Sequence, residues 1–134
     1  MGQQQLLLIV LGAIIVGIAI IVGLNMFSSG AAQANLDAVT QDVMTISSRA
    51  QEWWRKPAAM GGGGRTWTGL TSSELVNFPD TTANGNYQLS VLGGGAQLQV
   101  VGRGIEDGDG NGLNLQITTV IDSSAIVSTI INER

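Results

Sequence analysis

The sequence contains no cysteine and no histidine among its 134 residues. Without cysteine the chain cannot form disulfides, thiolate catalytic sites or a C-x-x-C-H haem attachment, and without histidine it has no imidazole for acid–base work or metal binding. No pair of carboxylates stands in a recognisably enzymatic setting. The sequence therefore predicts a protein that is not an enzyme and that needs no cofactor, with calcium as the one ion to consider.

Charged and aromatic residues are also few. Six basic residues against ten acidic ones give a formal net charge of −4. The basic residues are too few and too scattered to form a nucleic-acid footprint, so nucleic acid is not expected as a primary partner. With three Trp, one Tyr and two Phe in the whole chain, a path of stacked aromatic rings for electron transfer has no support.

One end of the chain holds nearly all of the apolar density. Residues 6 to 24 form an unbroken apolar run, which as a helix would be roughly 28 Å long, close to the hydrocarbon thickness of a bilayer. A cleavable signal peptide is an alternative, because Ala32-Gln33-Ala34 resembles a cleavage site. That alternative lacks the positive n-region, since the first basic residue is Arg49.

The apolar run differs from a plain membrane anchor in its small residues and its flanks. Small side chains spaced four residues apart let helix backbones approach each other closely. Neither end of the run has the Lys, Arg, Trp or Tyr that usually marks a membrane interface. The small residues predicted to serve helix–helix assembly are Gly12, Ala13, Gly17, Ala19 and Gly23.

An amphipathic segment follows the apolar run. Its apolar residues recur three and four apart, which places them on one face of a helix; they are Leu36, Val39, Val43, Ile46, Ala50 and Trp53. Residues off this face, such as Asp42 and Arg49, are expected to stay solvated. With Pro57 closing the element, the sequence predicts one helix over residues 3–56, hinged at 28–30.

The remainder predicts a connecting loop and a sheet. Residues 57–85 are typical of a loop, with a flexible tract at 61–64 and one helical turn after a capping box that begins at Thr71. Alternating patterns predict three strands, around 87–91, 98–100 and 113–117, and a more apolar run predicts a fourth at 126–131. The first three are joined by glycine-rich turns into an antiparallel meander. One Trp of the adjacent Trp53 and Trp54 is expected to anchor the core, and the other to meet the loop or a neighbouring subunit.

These elements define the expected fold class and organisation. The fold is α+β: a long N-terminal helix, apolar in its first half and amphipathic in its second, packed on a C-terminal antiparallel sheet of three to four strands. The divisions are residues 1–27 for the apolar half, 28–56 for the amphipathic half and 57–134 for the loop and sheet. The face that includes Leu36, Val39, Val43, Ile46 and Trp53 is predicted to cover the sheet.

This architecture, together with the sequence from Met1 to Gly23, resembles the type IV pilin family. The resemblance implies that the apolar half-helix first holds the subunit in the inner membrane and then joins the core of an extracellular filament of identical subunits, placed there by a pilus assembly machinery. Met is an accepted first residue of mature pilins, so the resemblance gives Met1 and the fifth residue roles in assembly. A monomeric membrane-anchored binding module and a pseudopilin of a secretion system are the alternatives.

Two departures from the family are visible. The fifth mature residue of these pilins is usually Glu, which is thought to pair with a neighbour's N-terminal amine, whereas this chain has Gln5. An amide can hydrogen-bond to that amine but cannot neutralise its charge. The cysteine pair that often pins the C-terminal region is missing as well.

A short acidic segment has the spacing of a calcium loop. Residues 107–112, DGDGNG, match the first six positions of such a loop, with Asp107, Asp109 and Asn111 as the candidate ligands. The twelfth position is Thr118 rather than Glu. The competing interpretation is a solvated hairpin turn, which Asp, Asn and Gly favour for their tolerant dihedral angles.

Overall fold

A computed structural model of the chain describes residues 2–107 and 111–132. The chain folds as one long helix on a four-stranded antiparallel sheet with strand order β1-β2-β3-β4, which confirms the predicted α+β class. The elements are α1 (Gly2–Arg55), two short 3₁₀ helices (Ala58–Met60 and Ser73–Val76), β1 (Gly85–Leu92), β2 (Gln97–Gly104), β3 (Gln116–Ile121) and β4 (Ile126–Asn132).

The long helix runs without a break. Its 54 residues make it about 81 Å long at the α-helical rise. Residues 28–30 are helical, so they do not form the predicted hinge. A serine or glycine inside a helix costs about 1 kcal/mol or less relative to alanine, which is little against the cost of ending one helix and nucleating another.

The glycine tract after the helix is a specific cap rather than a flexible connection. Backbone N–H groups of Gly63 and Gly64 donate to the carbonyls of Trp53 and Lys56 at 2.9 and 3.0 Å. These bonds satisfy carbonyls that a helix end leaves without intrahelical partners. A Cβ on Gly63 would lie 2.3 Å from the Thr66 carbonyl oxygen, so no other residue fits there.

The second 3₁₀ helix is held by a carboxylate. Ser72, not Thr71, is its cap: the Ser72 hydroxyl accepts from the Glu74 N–H at 3.1 Å. Asp80 in turn accepts from the Ser72 hydroxyl and from the hydroxyl and N–H of Ser73. The Ser73 hydroxyl is the main cause that lowers the pKa of Asp80, against the opposing effect of burial.

The sheet follows the predicted meander, but β2 extends to Gly104, beyond the predicted 98–100, and β3 starts later than predicted. β3 begins at Gln116 rather than at Leu113, whose side chain is exposed. The Gly104 N–H still donates to the Leu115 carbonyl at 2.9 Å, beyond the end of the paired residues. The alternation of Leu113 and Leu115 therefore belongs to a loop that runs beside β2 rather than to a strand.

The core lies between the second half of α1 and the first three strands. α1 packs across β2 and β3, and its approach to β2 needs a glycine. A Cβ on Gly102 would lie 2.7 Å from Val43 Cγ2 and 2.9 Å from Val39 Cγ1. The largest fully buried side chain is Trp67, from the loop that the sequence left without a core residue.

β4 lies outside this cover. Ile131 pairs with Ile117 of β3, so the two share the face on which the helix packs. Ile117 is fully buried, whereas Ile131 is 48% exposed, because α1 packs mainly on β2 and β3. Every residue of β4 is exposed, although its sequence is the most apolar of the four strands.

Candidate assembly surfaces

The apolar half of α1 makes no tertiary packing in the described chain. Residues 2–30 are all exposed, and an 18-residue window of the helix has mean hydropathy 3.2 with none of it buried. By length and composition this helix is able to cross a membrane, and a helix of this kind near an N-terminus serves as a membrane anchor or a signal sequence. Something other than its own domain must therefore shield this apolar surface from water.

Small residues form a line along this half-helix. Because a regular α-helix turns about 100° per residue, one set of positions falls within about 20° of a single line. That set is Gln5 followed by four small residues, Gly12, Ala19, Gly23 and Gly30; all five are here called the small-residue stripe. A Cβ built on each of its three glycines meets nothing within 4 Å, so the stripe is open.

The stripe points away from the domain. On the same helical count, the buried residues Val39, Ile46 and Ala50 lie about 160–200° from it. Ala13 and Gly17, the other two predicted assembly residues, lie roughly 100–140° from the stripe, toward the side of the sheet. Met1 lies outside the described residues.

The predicted seam between helix and sheet occurs where the periodicity places it. Val39, Val43 and Ile46 are at most 1% exposed, and Leu36 and Trp53 are partly buried against the same core. The two adjacent tryptophans have separate surroundings, as expected from their 100° separation on a helix. The Trp53 ring lies against the Gly63 backbone, while the Trp54 ring is 6.2 Å from that of Trp67.

Two polar residues of α1 join the helix to the sheet and to the loops beside it, and the sequence did not predict these bonds. The Asn35 amide donates to the Asn84 carbonyl at 2.8 Å and accepts the Ile105 N–H at 3.1 Å. Asp42, expected to be solvated, accepts the Tyr87 hydroxyl at 2.6 Å. Burial, together with this bond to Asp42, raises the pKa of Tyr87.

Arg49 is exposed, as expected, but it also makes specific contacts. Its guanidinium donates to the Asn77 carbonyl and lies 5.9 Å from the centre of the Phe78 ring. Such partners lie tens of residues away along the chain, so no local pattern in the sequence reveals them. Asn35, Asp42 and Arg49 share one feature that the sequence does show: each lies beside the buried face of the helix.

The candidate calcium ligands form turn hydrogen bonds in the described part of the loop. Asp107 accepts the Gly112 N–H at 2.6 Å and Asn111 accepts the Leu113 N–H at 2.8 Å. Asp109 lies outside the described residues. Within residues 2–107 and 111–132, no group of three or more acidic, histidine or cysteine side chains is placed to hold a metal ion. Calcium binding stays a prediction.

A groove lies at the end of the domain where α1 terminates. It has a volume of about 320 Å³, and among its lining residues are Arg49, Glu52, Trp53, Lys56 and Leu75; it is called the terminal groove below. Its apolar wall comes from Trp53 and Leu75, the latter 52% exposed. The groove thus combines apolar surface with two cations and one carboxylate.

No known protein-family model, curated protein or solved structure matches this chain. Only its own residues therefore bear on its function. The surfaces that they leave uncovered are the apolar half-helix with its small-residue stripe, the exposed strand β4 and the terminal groove.

Proposed function

We propose that this protein is the structural subunit of a type IV pilus-like filament that assembles through the apolar half of α1. The observation that carries the proposal is the direction of the small-residue stripe, about 180° from the face that holds the sheet. When stripes of several copies meet, their helices form a core and their domains lie outside it. A single-span anchor gains nothing from such an arrangement.

Close packing supplies the driving force in this proposal. Before assembly the apolar half-helix lies in the membrane, where lipid already shelters its surface. Moving it among other helices therefore gains little hydrophobic free energy, and cohesion depends on van der Waals contact between backbones. The glycines at positions 12 and 23 permit that contact because they place no side chain between the helices.

Gln5 belongs to the same stripe and gives the core a different chemistry from that of the family. Its amide lies on the line of Gly12 and Ala19, where it faces neighbouring helices in the assembly. An amide donates and accepts hydrogen bonds and loses less on desolvation than a carboxylate does. In the proposed order of events the subunit is first an inner-membrane protein, and the assembly machinery then transfers it to the cell-surface filament.

Electron microscopy of the purified full-length chain after detergent removal tests this function. Filaments support it, and monodisperse particles with no filaments at any protein concentration contradict it and favour the membrane-anchored binding module. The test is sharpened by Ala19→Leu, which fills the stripe with a larger side chain. Overfilling a packed interface costs about 1–3 kcal/mol, so the critical concentration for assembly should rise roughly 5- to 150-fold.

Ala13→Leu is the matched control, because it makes the same substitution on a different face of the same half-helix. It should raise the critical concentration less than Ala19→Leu does. Equal effects of the two variants would remove the argument from the direction of the stripe. Circular dichroism of both variants in detergent checks that α1 and the domain remain folded.

A further inference from the structure

We infer that the terminal groove is the docking site for the β2–β3 loop of a second copy of this chain, in a head-to-tail contact between domains. The inference rests on the proposed filament and specifies a contact outside its helical core. The part of the loop concerned is Ile105, Glu106 and Asp107, with Leu113 beside them; it is called the acidic loop below.

The two surfaces match in charge and in apolar character. Four of the six basic residues lie at the end of the domain that holds the groove; they are Arg49, Arg55, Lys56 and Arg65. In the lining of the groove itself, Arg49 and Lys56 face the single carboxylate of Glu52, so the lining carries one net positive charge. The acidic loop carries two carboxylates, and its Ile105 and Leu113 side chains are 57% and 58% exposed. Carboxylates and apolar side chains are what a groove of Lys56, Trp53 and Leu75 accommodates.

One copy cannot fill its own groove. The acidic loop is fixed to Asn35 by the hydrogen bonds from the Ile105 and Glu106 N–H groups, whereas the groove begins at Arg49 and continues to Lys56. These positions on α1 are roughly 21–32 Å apart along the helix. Complementary patches at opposite ends of one rigid body make a heterologous contact, which propagates along a line instead of closing a dimer.

Arg49 is fixed in place for this role. Its guanidinium is held by the Asn77 carbonyl and the Phe78 ring, so it contributes a positioned positive charge to the groove wall. Lys56 has an exposed side chain and no carboxylate within ion-pair distance in the described chain. Docking of Glu106 beside Lys56 gives this ammonium group a carboxylate partner.

Disulfide trapping tests the contact, since the natural chain has no cysteine. We expect the double variant Leu75→Cys with Ile105→Cys, oxidised mildly after assembly, to give a ladder of covalent dimers, trimers and longer chains on a non-reducing gel. A disulfide requires Cα atoms within about 7 Å, so the two positions of one copy cannot react with each other. Each single-cysteine variant should stop at dimers.

The matched control pairs Ile105→Cys with Leu92→Cys, an exposed apolar position outside the groove. A ladder of equal strength from this pair overturns the inference, because it would indicate random collision. Filaments of normal appearance without a Leu75–Ile105 ladder also overturn it and leave the proposed function intact. If neither filaments nor a ladder form, the proposed function fails and this contact fails with it.

Charge exchange gives a second, independent readout. Lys56→Glu and Glu106→Lys should each raise the critical concentration for assembly roughly two- to fivefold, the size expected for an exposed ion pair. The combined variant should return it close to the original value. Arg55→Glu, one residue away and outside the groove lining, is the control and should change it less; absence of rescue in the combined variant contradicts the pairing.

Discussion

The two halves of α1 differ in hydrophobicity and in burial, and the more apolar half is the exposed one. The first half is nearly all apolar, and residues 2–30 are entirely exposed. The second half carries charges and amides, yet Val39, Ile46 and Ala50 within it are completely buried. In a self-contained protein the more apolar half would be inside.

The difference teaches which half the domain needs. Core packing, the glycine approach at Gly102 and the bonds of Asn35 and Asp42 all involve the second half. Residues 2–30 of the first half are all exposed and none belongs to the core. Packing within its own domain therefore does not explain the apolar sequence of the first half. Making the same substitution in each half tests whether the stability of the domain is independent of the first half.

The largest contrast is expected for isoleucine truncation. Ile46→Ala should lower the free energy of unfolding of the domain by about 2–5 kcal/mol, because Ile46 is fully buried and its removal leaves a cavity. Ile14→Ala, at a position 55% exposed, should change it by less than about 0.5 kcal/mol. Urea unfolding in detergent measures both; equal losses would show that the halves are not independent.

Glycine substitutions should give the next contrast. Gly102→Ala places a Cβ within 2.7 Å of Val43 Cγ2, and overpacking of this kind costs about 1–3 kcal/mol. Gly17→Ala meets nothing within 4 Å and should leave the domain unchanged or stabilise the helix slightly. Thermal unfolding of the two variants provides the comparison, and a stable Gly102→Ala protein would mean that α1 shifts readily on the sheet.

A smaller contrast is expected between two asparagines. Asn35→Ala leaves the Ile105 N–H and the Asn84 carbonyl without their partner, and the domain should lose about 1–2 kcal/mol. Asn25→Ala removes an exposed amide and isolates the change in helix propensity, which favours alanine. If both variants unfold at the same urea concentration, the Asn35 bonds contribute nothing to stability.

Acid should lower the stability of the domain without affecting the apolar half-helix, and this is the smallest of the expected effects. The folded state lowers the pKa of Asp80, so its stabilising contribution is present above the unfolded pKa and is lost as the pH falls through the folded one. Asp80→Asn should therefore show a shallower loss of unfolding free energy between pH 7 and pH 3. Asp37→Asn on the exposed helix surface is the control, and an identical pH profile for wild type and Asp80→Asn would contradict this role.

The sequence predicted the elements better than their contacts. Periodicity identified the buried face of α1 and the alternation of β1 and β2, because those patterns follow directly from helix and strand geometry. It missed Trp67 and the capping function of Gly63, since loop residues carry no period. It also missed the bond between Asp42 and Tyr87, which joins positions 45 residues apart.

β4 shows what the sequence pattern alone does not predict. The apolar run of residues 126–131 predicts a strand correctly, but whether it is covered depends on where α1 crosses the sheet. The same holds for the assembly residues: spacing identified small side chains, whereas their direction relative to the domain follows from one unbroken helix of 54 residues. The direction of the stripe relative to the sheet is fixed because one continuous helix carries both faces, and composition alone does not give that direction.

All three tryptophans lie at one end of the molecule. Trp53 and Trp54 are in the last turn of α1, and Trp67 packs beside Trp54 with a ring separation of 6.2 Å. No tryptophan or tyrosine occurs in residues 1–30. Intrinsic fluorescence of this protein is therefore a built-in reporter of the domain alone: it follows unfolding of the sheet and occupancy of the groove beside Trp53, while contacts made by the apolar half-helix remain optically silent.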